Sequence, residues 1–146
     1  MRDRIEEYIS AERIAARVAE LGRRISDDYR GREILLAAVL KGSVVFLADL
    51  MRRIDGKVSV DFLCASSYGD ATESSGVVQI KKDLDASAAG KHVLLVEDIV
   101  DTGLTMSFLV GHLQAGSPAS IRTCALLDKP SRRKIPFQAD YVGFEI

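Results

Sequence analysis

Cysteine, net charge and long apolar runs are all scarce in this chain, and each shortage excludes a class of protein. Cys64 and Cys124 are the only cysteines. They have neither zinc-like nor redox spacing and read as two buried thiols kept reduced in the cytosol. Lys and Arg total 20 against 21 Asp and Glu, a formal charge of −1. That balance gives no whole-surface basic field for nucleic acid or an anionic membrane. The longest clean apolar stretch, Ile34 to Leu40, falls far short of the roughly 18 residues that span a bilayer. The leading Met1-Arg-Asp-Arg-Ile-Glu-Glu7 puts acids where an export signal is apolar, so the expected location is cytoplasmic. Neither G-x-x-x-x-G-K-[ST] nor G-x-G-x-x-G occurs, which removes the usual handles for nucleoside triphosphate hydrolysis and dinucleotide binding. No internal repeat, low-complexity tract or linker interrupts the sequence.

What is present is the mix of one soluble domain: 146 residues, 47% hydrophobic and 28% charged, too apolar for wholesale disorder. Ser10 is placed to cap a helix whose apolar positions Ile14, Val18, Leu21 and Ile25 follow helical spacing, with Glu12 in the first turn. Glu33 to Leu40 reads as a strand covered on both faces. Lys41-Gly42 breaks it, and Ser43 opens a second helix carrying Val44, Phe46, Leu47, Leu50 and Met51. Lys57 to Leu63 alternates as a strand. From Ser66 to Gly76 the apolar period stops, and a polar, glycine-punctuated loop is expected, of the kind that often serves as an active-site lid. Lys91 to Val96 restarts a buried strand. A helix follows from about Thr105 to Gln114 with Met106, Leu109, Val110 and Leu113 on one face, then strands over Ser120 to Leu127 and from Ala139 to Ile146. Strands alternating with helices predict an α/β fold with a parallel sheet, and ligands in such sheets sit beyond the carboxyl ends of the strands.

The chemistry concentrates in Val93-Leu-Leu-Val-Glu-Asp-Ile-Val-Asp-Thr-Gly-Leu-Thr-Met106. A buried strand delivers adjacent carboxylates, Glu97 and Asp98. Asp101 and a small hydroxyl-rich turn, Thr102-Gly-Leu-Thr105, then open a helix. Unpaired N–H groups at a helix start, with two threonine hydroxyls, suit a phosphate monoester. Ionised carboxylates only accept hydrogen bonds, so they suit hydroxyl donors or Mg²⁺. A ribose 5-phosphate satisfies both halves. Helix capping alone is the plainer alternative, but three acids with Asp-Thr-Gly-x-Thr directly after a buried strand exceed what capping needs. Asp-Thr-Gly in an aspartic protease needs a second copy, which this chain lacks.

Val96-Glu-Asp-Ile-Val-Asp-Thr-Gly-Leu-Thr105 resembles the PRPP-binding motif of type I phosphoribosyltransferases in their 6-oxopurine (hypoxanthine/guanine) form. Val39-Leu-Lys-Gly-Ser43 is similar to that family's pyrophosphate loop. Ser66-Ser-Tyr-Gly with Glu73-Ser-Ser-Gly76 resembles its mobile catalytic loop. Leu126-Leu-Asp-Lys-Pro-Ser-Arg-Arg-Lys134 resembles its purine-contacting segment, and Ala139-Asp-Tyr-Val-Gly-Phe-Glu-Ile146 the strand that follows.

The resemblance implies a central, mostly parallel sheet flanked by helices with a mobile catalytic loop, and Mg²⁺-dependent transfer of 5-phosphoribosyl from PRPP to hypoxanthine or guanine in purine salvage. Glu97 and Asp98 would hold the ribose hydroxyls, directly or through Mg²⁺. Asp101, Thr102, Gly103, Leu104 and Thr105 would hold the 5′-phosphate, and Asp101 would exchange a proton with N7 of the purine. Lys41 and Gly42 would bind pyrophosphate after a cis Leu40–Lys41 peptide, with Ser67 and Tyr68 closing over it. Lys129 would donate to the 6-oxo group, which hypoxanthine, guanine and xanthine share. A homodimer or homotetramer is implied, with no nucleic-acid or membrane partner.

Family members continue past the point matching Ile146 with an aromatic that stacks on the base and an aspartate for a second Mg²⁺. The expectation is therefore one phosphoribosyltransferase domain over residues 1–146 that lacks the family's C-terminal segment. A non-catalytic PRPP- or nucleotide-sensing regulator is the alternative class; Asp101 and the near-neutral charge favour the enzyme. His92 and His112 have no paired ligand or base spacing and read as ordinary residues, Lys81-Lys82 stays ambiguous, and Arg132-Arg-Lys134 reads as a solvated turn.

Overall fold

A computed structural model describes residues 5–68 and 77–146. Along the chain run α1 (Ala11–Asp28), β1 (Ile34–Val39), α2 (Ser43–Met51), β2 (Val58–Tyr68), β3 (Val77–Lys82), β4 (His92–Val100), α3 (Leu104–Gln114), β5 (Ser120–Asp128), a 3-10 turn (Pro130–Arg132) and β6 (Tyr141–Glu145). The strands form one sheet in the order β3-β2-β1-β4-β5-β6. All neighbours are parallel except β2 and β3, which are antiparallel. This is the expected α/β fold, a mostly parallel sheet flanked by helices.

Strand alternation divides the core into two layers. Leu36 and Ala38 of β1, Leu94 and Val96 of β4 and Cys124 of β5 pack with Val18, Leu21 and Ile25 of α1 and Phe46, Leu47 and Leu50 of α2. Leu35, Ala37 and Val39 face the other way with Val93, Leu95 and Ala125 and meet Met106, Leu109 and Leu113 of α3. All six β1 residues are buried, as an uninterrupted apolar strand requires. Burying a Leu, Ile, Val or Phe side chain contributes about 1.5–3 kcal/mol, so these central strands anchor whatever hangs from their ends. Ser10 caps α1 by accepting from the N–H of Arg13 at 3.2 Å. No helix of the described residues is long and apolar enough to cross a membrane.

Several expectations need correction. β2 runs on to Tyr68, so Ser66, Ser67 and Tyr68 are strand, paired with Gln79, Val78 and Val77 of β3; residues 69–76 lie outside the described part. β3 has no counterpart among the expected strands, since a ribbon edge strand alternates exposed with half-buried positions and carries no solid apolar run. β4 continues past Val96 to Val100. On α2, Val44 and Met51 are exposed. Both cysteines are free, but only Cys124 is fully buried. The histidines, by contrast, are ordinary satisfied residues as expected: His92 Nδ1 lies 2.7 Å from Ser120 Oγ, and His112 Nε2 2.9 Å from Asp83 Oδ2.

Candidate active site

The sheet reverses its winding between β1 and β4: α2 leads from β1 outward to β2, and α3 from β4 outward to β5 on the other side. Ligands in open α/β sheets gather at such a point, and the expected residues converge there. Lys41 and Gly42 follow the carboxyl end of β1, after a cis Leu40–Lys41 peptide. Glu97 and Asp98 lie on β4, and Lys129 follows β5. A Cβ built on Gly42 would stand 2.4 Å from Asp98 Oδ2 and 3.0 Å from its Cγ, so the Lys41-Gly42 loop is in direct contact with the β4 acids. The Ser43 hydroxyl donates to the Val39 carbonyl, which ties the start of α2 back to β1. Ser67 and Tyr68 end β2 at the same rim.

Each acid is braced by a backbone N–H. Glu97 Oε1 accepts from Asp98 at 2.9 Å, Asp98 Oδ1 from Ile99 at 2.9 Å, and Asp101 Oδ1 from Thr102 at 2.6 Å. Glu97 is buried while Asp101 is exposed. Burial, reinforced by hydrogen bonding to and the charge of neighbouring Asp98, pushes the Glu97 carboxyl up to about 9. Among the described residues no three acids, histidines or cysteines cluster as a metal cage. Two adjacent carboxylates nevertheless match Mg²⁺, which commonly takes one or two protein carboxylates and fills its shell with water and substrate phosphate.

The turn into α3 is built for an anion. Thr102 Oγ1 accepts from the N–H of Leu104 at 3.3 Å, folding the turn on itself. Gly103 has φ 84°, the left-handed region where glycine is nearly strain-free. A Cβ there would also meet Phe137 Cβ at 3.0 Å and the Ile135 carbonyl at 3.3 Å. Gly103, which precedes α3, contributes no side-chain cap. The N–H groups of the helix's first turn lack intrahelical acceptors and present the positive end of the macrodipole.

Within the segment from Lys129 to Phe137, one residue departs from expectation. Lys129 is exposed, and its N–H donates to the Val100 carbonyl at 2.8 Å. Arg132 and Lys134 are exposed, as a solvated turn requires, but Arg133 is not. It turns inward to a 2.6 Å ion pair with buried Asp128. Asp128, an acid closing the otherwise mostly apolar β5, is the sequence signal that a cationic partner was needed.

With this geometry in view, comparison with known proteins is unambiguous. The chain belongs to the phosphoribosyltransferase family: the phosphoribosyl transferase domain model matches residues 4–146. It is 49% identical over 144 residues to the hypoxanthine-guanine phosphoribosyltransferase of Mycobacterium avium, covering 94% of this chain and 71% of that protein. It is 47% identical over 138 residues to the enzyme of that name from Bacillus subtilis, covering 94% and 77%. The crystal structure of a hypoxanthine-guanine phosphoribosyltransferase from Bacillus anthracis superposes with a TM-score of 0.93 at 48% identity, over 99% of this chain and 85% of that one.

Proposed function

We infer that this chain is a purine-salvage transferase that moves the 5-phosphoribosyl group of PRPP to hypoxanthine or guanine, giving IMP or GMP and pyrophosphate. The observation that carries this is the joining, on one strand-to-helix connection, of two braced carboxylates and an anion-binding turn, with Gly42 packed against Asp98. The turn from Asp101 to Thr105 takes the 5′-phosphate. Glu97 and Asp98 take the ribose hydroxyls, and their oxygens are the donors this chain offers to Mg²⁺, which when bound offsets charge on the pyrophosphate.

Transfer builds positive character at the ribose C1′ and negative charge on the departing pyrophosphate. Lys41 and the backbone at Gly42 hold that charge at the end of β1, and Ser67 and Tyr68 close over the pyrophosphate. Asp101, its carboxylate steadied by the Thr102 N–H, exchanges the proton at purine N7. Lys129 donates to the 6-oxo group and so selects against adenine, whose amino group there cannot accept. The reaction belongs to the cytoplasm, and the enzyme works as a homodimer or homotetramer of a single phosphoribosyltransferase domain.

The test incubates the protein with PRPP, Mg²⁺ and hypoxanthine or guanine and follows nucleotide by chromatography. Asp101→Asn should lower kcat by about 10²–10⁴-fold, the usual worth of a positioned acid–base group, with PRPP binding retained. Nucleotide formation at an equal rate in Asp101→Asn would remove Asp101 from the chemistry.

A further inference from the structure

Arg133 holds together the parts of the site that come from different strands. Its guanidinium offers five N–H donors in a rigid plane, and the acceptors around it belong to three segments. Nε donates to the Phe137 carbonyl at 2.9 Å, Nη1 to the Asp101 carbonyl at 2.9 Å and more weakly to that of Val100 at 3.5 Å, and Nη2 to Asp128 Oδ1 at 2.6 Å. The fork thus joins the ends of β4 and β5 to the loop that leads into β6. The backbone beside it acts alike: Lys134 donates its N–H to the Thr102 carbonyl at 2.9 Å, and the Arg133 Cδ lies 3.4 Å from where a Cβ on Gly103 would stand. The Val100 carbonyl that Nη1 approaches is the one that accepts the Lys129 N–H.

A buried ion pair is a poor source of stability, because desolvating both charges offsets most of their attraction. The side chains of Arg133 and Asp128 are only 16% and 9% exposed, yet they are spent on this contact rather than on apolar packing. What the pair supplies is direction: it fixes where the Asp101 carbonyl sits, and with it the orientation of the residue assigned above to exchange the purine proton.

We propose that Arg133 is a positioning residue for phosphoribosyl transfer, holding Asp101 and the phosphate-binding turn in register with Lys129. This rests on the assignment of Asp101–Thr105 as the phosphate cradle. A lysine at 133 would keep the charge opposite Asp128, but its single ammonium cannot reach three segments at once.

The experiment compares wild type, Arg133→Lys and Arg133→Ala for nucleotide formation from PRPP and hypoxanthine with Mg²⁺, alongside Tm. Arg133→Lys should stay folded with Tm close to wild type, yet lose about 100-fold in kcat, the scale of a 1 Å misplacement at a reacting centre, and show a raised KM for PRPP. Arg133→Ala should recover part of its rate with millimolar guanidinium salt but not with sodium salt, while wild type gains nothing. Wild-type kcat and KM in Arg133→Lys would overturn the proposal, as would losses that follow only the folded fraction; Arg133→Lys decides if Arg133→Ala does not fold. Wild type that neither binds PRPP nor forms nucleotide would instead overturn the cradle assignment beneath it.

Discussion

Replacing Gly42 by alanine separates fold from function at the contact between the two halves of the site. Gly42 has φ −58° and ψ −31°, a right-handed helical conformation that alanine adopts without strain. On backbone grounds alone the change should stabilise the protein by about 0.4–1 kcal/mol, by narrowing the unfolded ensemble. The added methyl, however, would lie 2.4 Å from Asp98 Oδ2, where ordinary contacts begin near 3.4 Å, so the carboxylate must retreat by about 1 Å. Turning away strains the rotamer by about 0.5–1.5 kcal/mol and releases the hydrogen bond from Ile99, worth about 1 kcal/mol. Together these costs exceed the backbone gain and leave the variant about 1 kcal/mol less stable, a few degrees in Tm.

The expected result is a Tm within a few degrees of wild type with a KM for PRPP raised at least tenfold, since the displaced oxygen belongs to the proposed ribose and metal contact. The assay is initial-rate nucleotide formation against PRPP concentration, with Tm from differential scanning. In an Asp98→Ala background the clash has no partner, so adding Gly42→Ala should change KM no further. Unchanged KM in the single variant, or equal effects in both backgrounds, would refute the contact as the cause.

Two predictions concern stability. With no cation bound, burial beside Asp98 raises the Glu97 carboxyl to about 9 against 4.5 for an ordinary glutamate. Its contribution is therefore full below pH 4.5 and is lost as pH rises toward 9; Tm of the ligand-free protein should fall across that window, and Glu97→Gln should flatten the slope. Among the described residues, the Tyr29 hydroxyl is buried without a hydrogen-bond partner, so Tyr29→Phe should leave Tm unchanged or raise it, whereas a loss above about 1 kcal/mol in urea denaturation would show that the hydroxyl has a partner.

The parallel core and the gathering of the candidate residues at one rim are legible because buried strands and strand-to-helix turns have strong local requirements. The run Ile34–Val39, short, apolar and ended by Lys41-Gly42, reads as a strand covered twice, and Glu97-Asp98 followed by Asp-Thr-Gly-x-Thr brings carboxylates and free N–H groups together by chain connectivity alone. The β2–β3 ribbon is not legible: Ser66 and Ser67 are polar, and their pairing with Gln79 and Val78 is a relation between distant segments rather than a pattern within one. Arg133 escapes a reading of the sequence for a related reason. Nothing within Arg132-Arg133-Lys134 tells which side chain turns inward; that is decided by Asp128 and by carbonyls on another strand. The contact of Gly42 with Asp98 is likewise created by the pairing of β1 with β4.

The turns at the opposite rim of the sheet have a different character. Gly31, Gly56 and Gly90 precede β1, β2 and β4, all with positive φ and with nothing within 4 Å of the place an added methyl would take. What is demanded there is a backbone angle alone, whereas Gly103 at the carboxyl rim combines a positive φ with close neighbours on the Arg133–Phe137 segment. The molecule therefore has a natural handle side: a tether or label joined through the amino-rim turns would approach from the face away from the substrates, leaving the catalytic rim turned toward solution on a solid support.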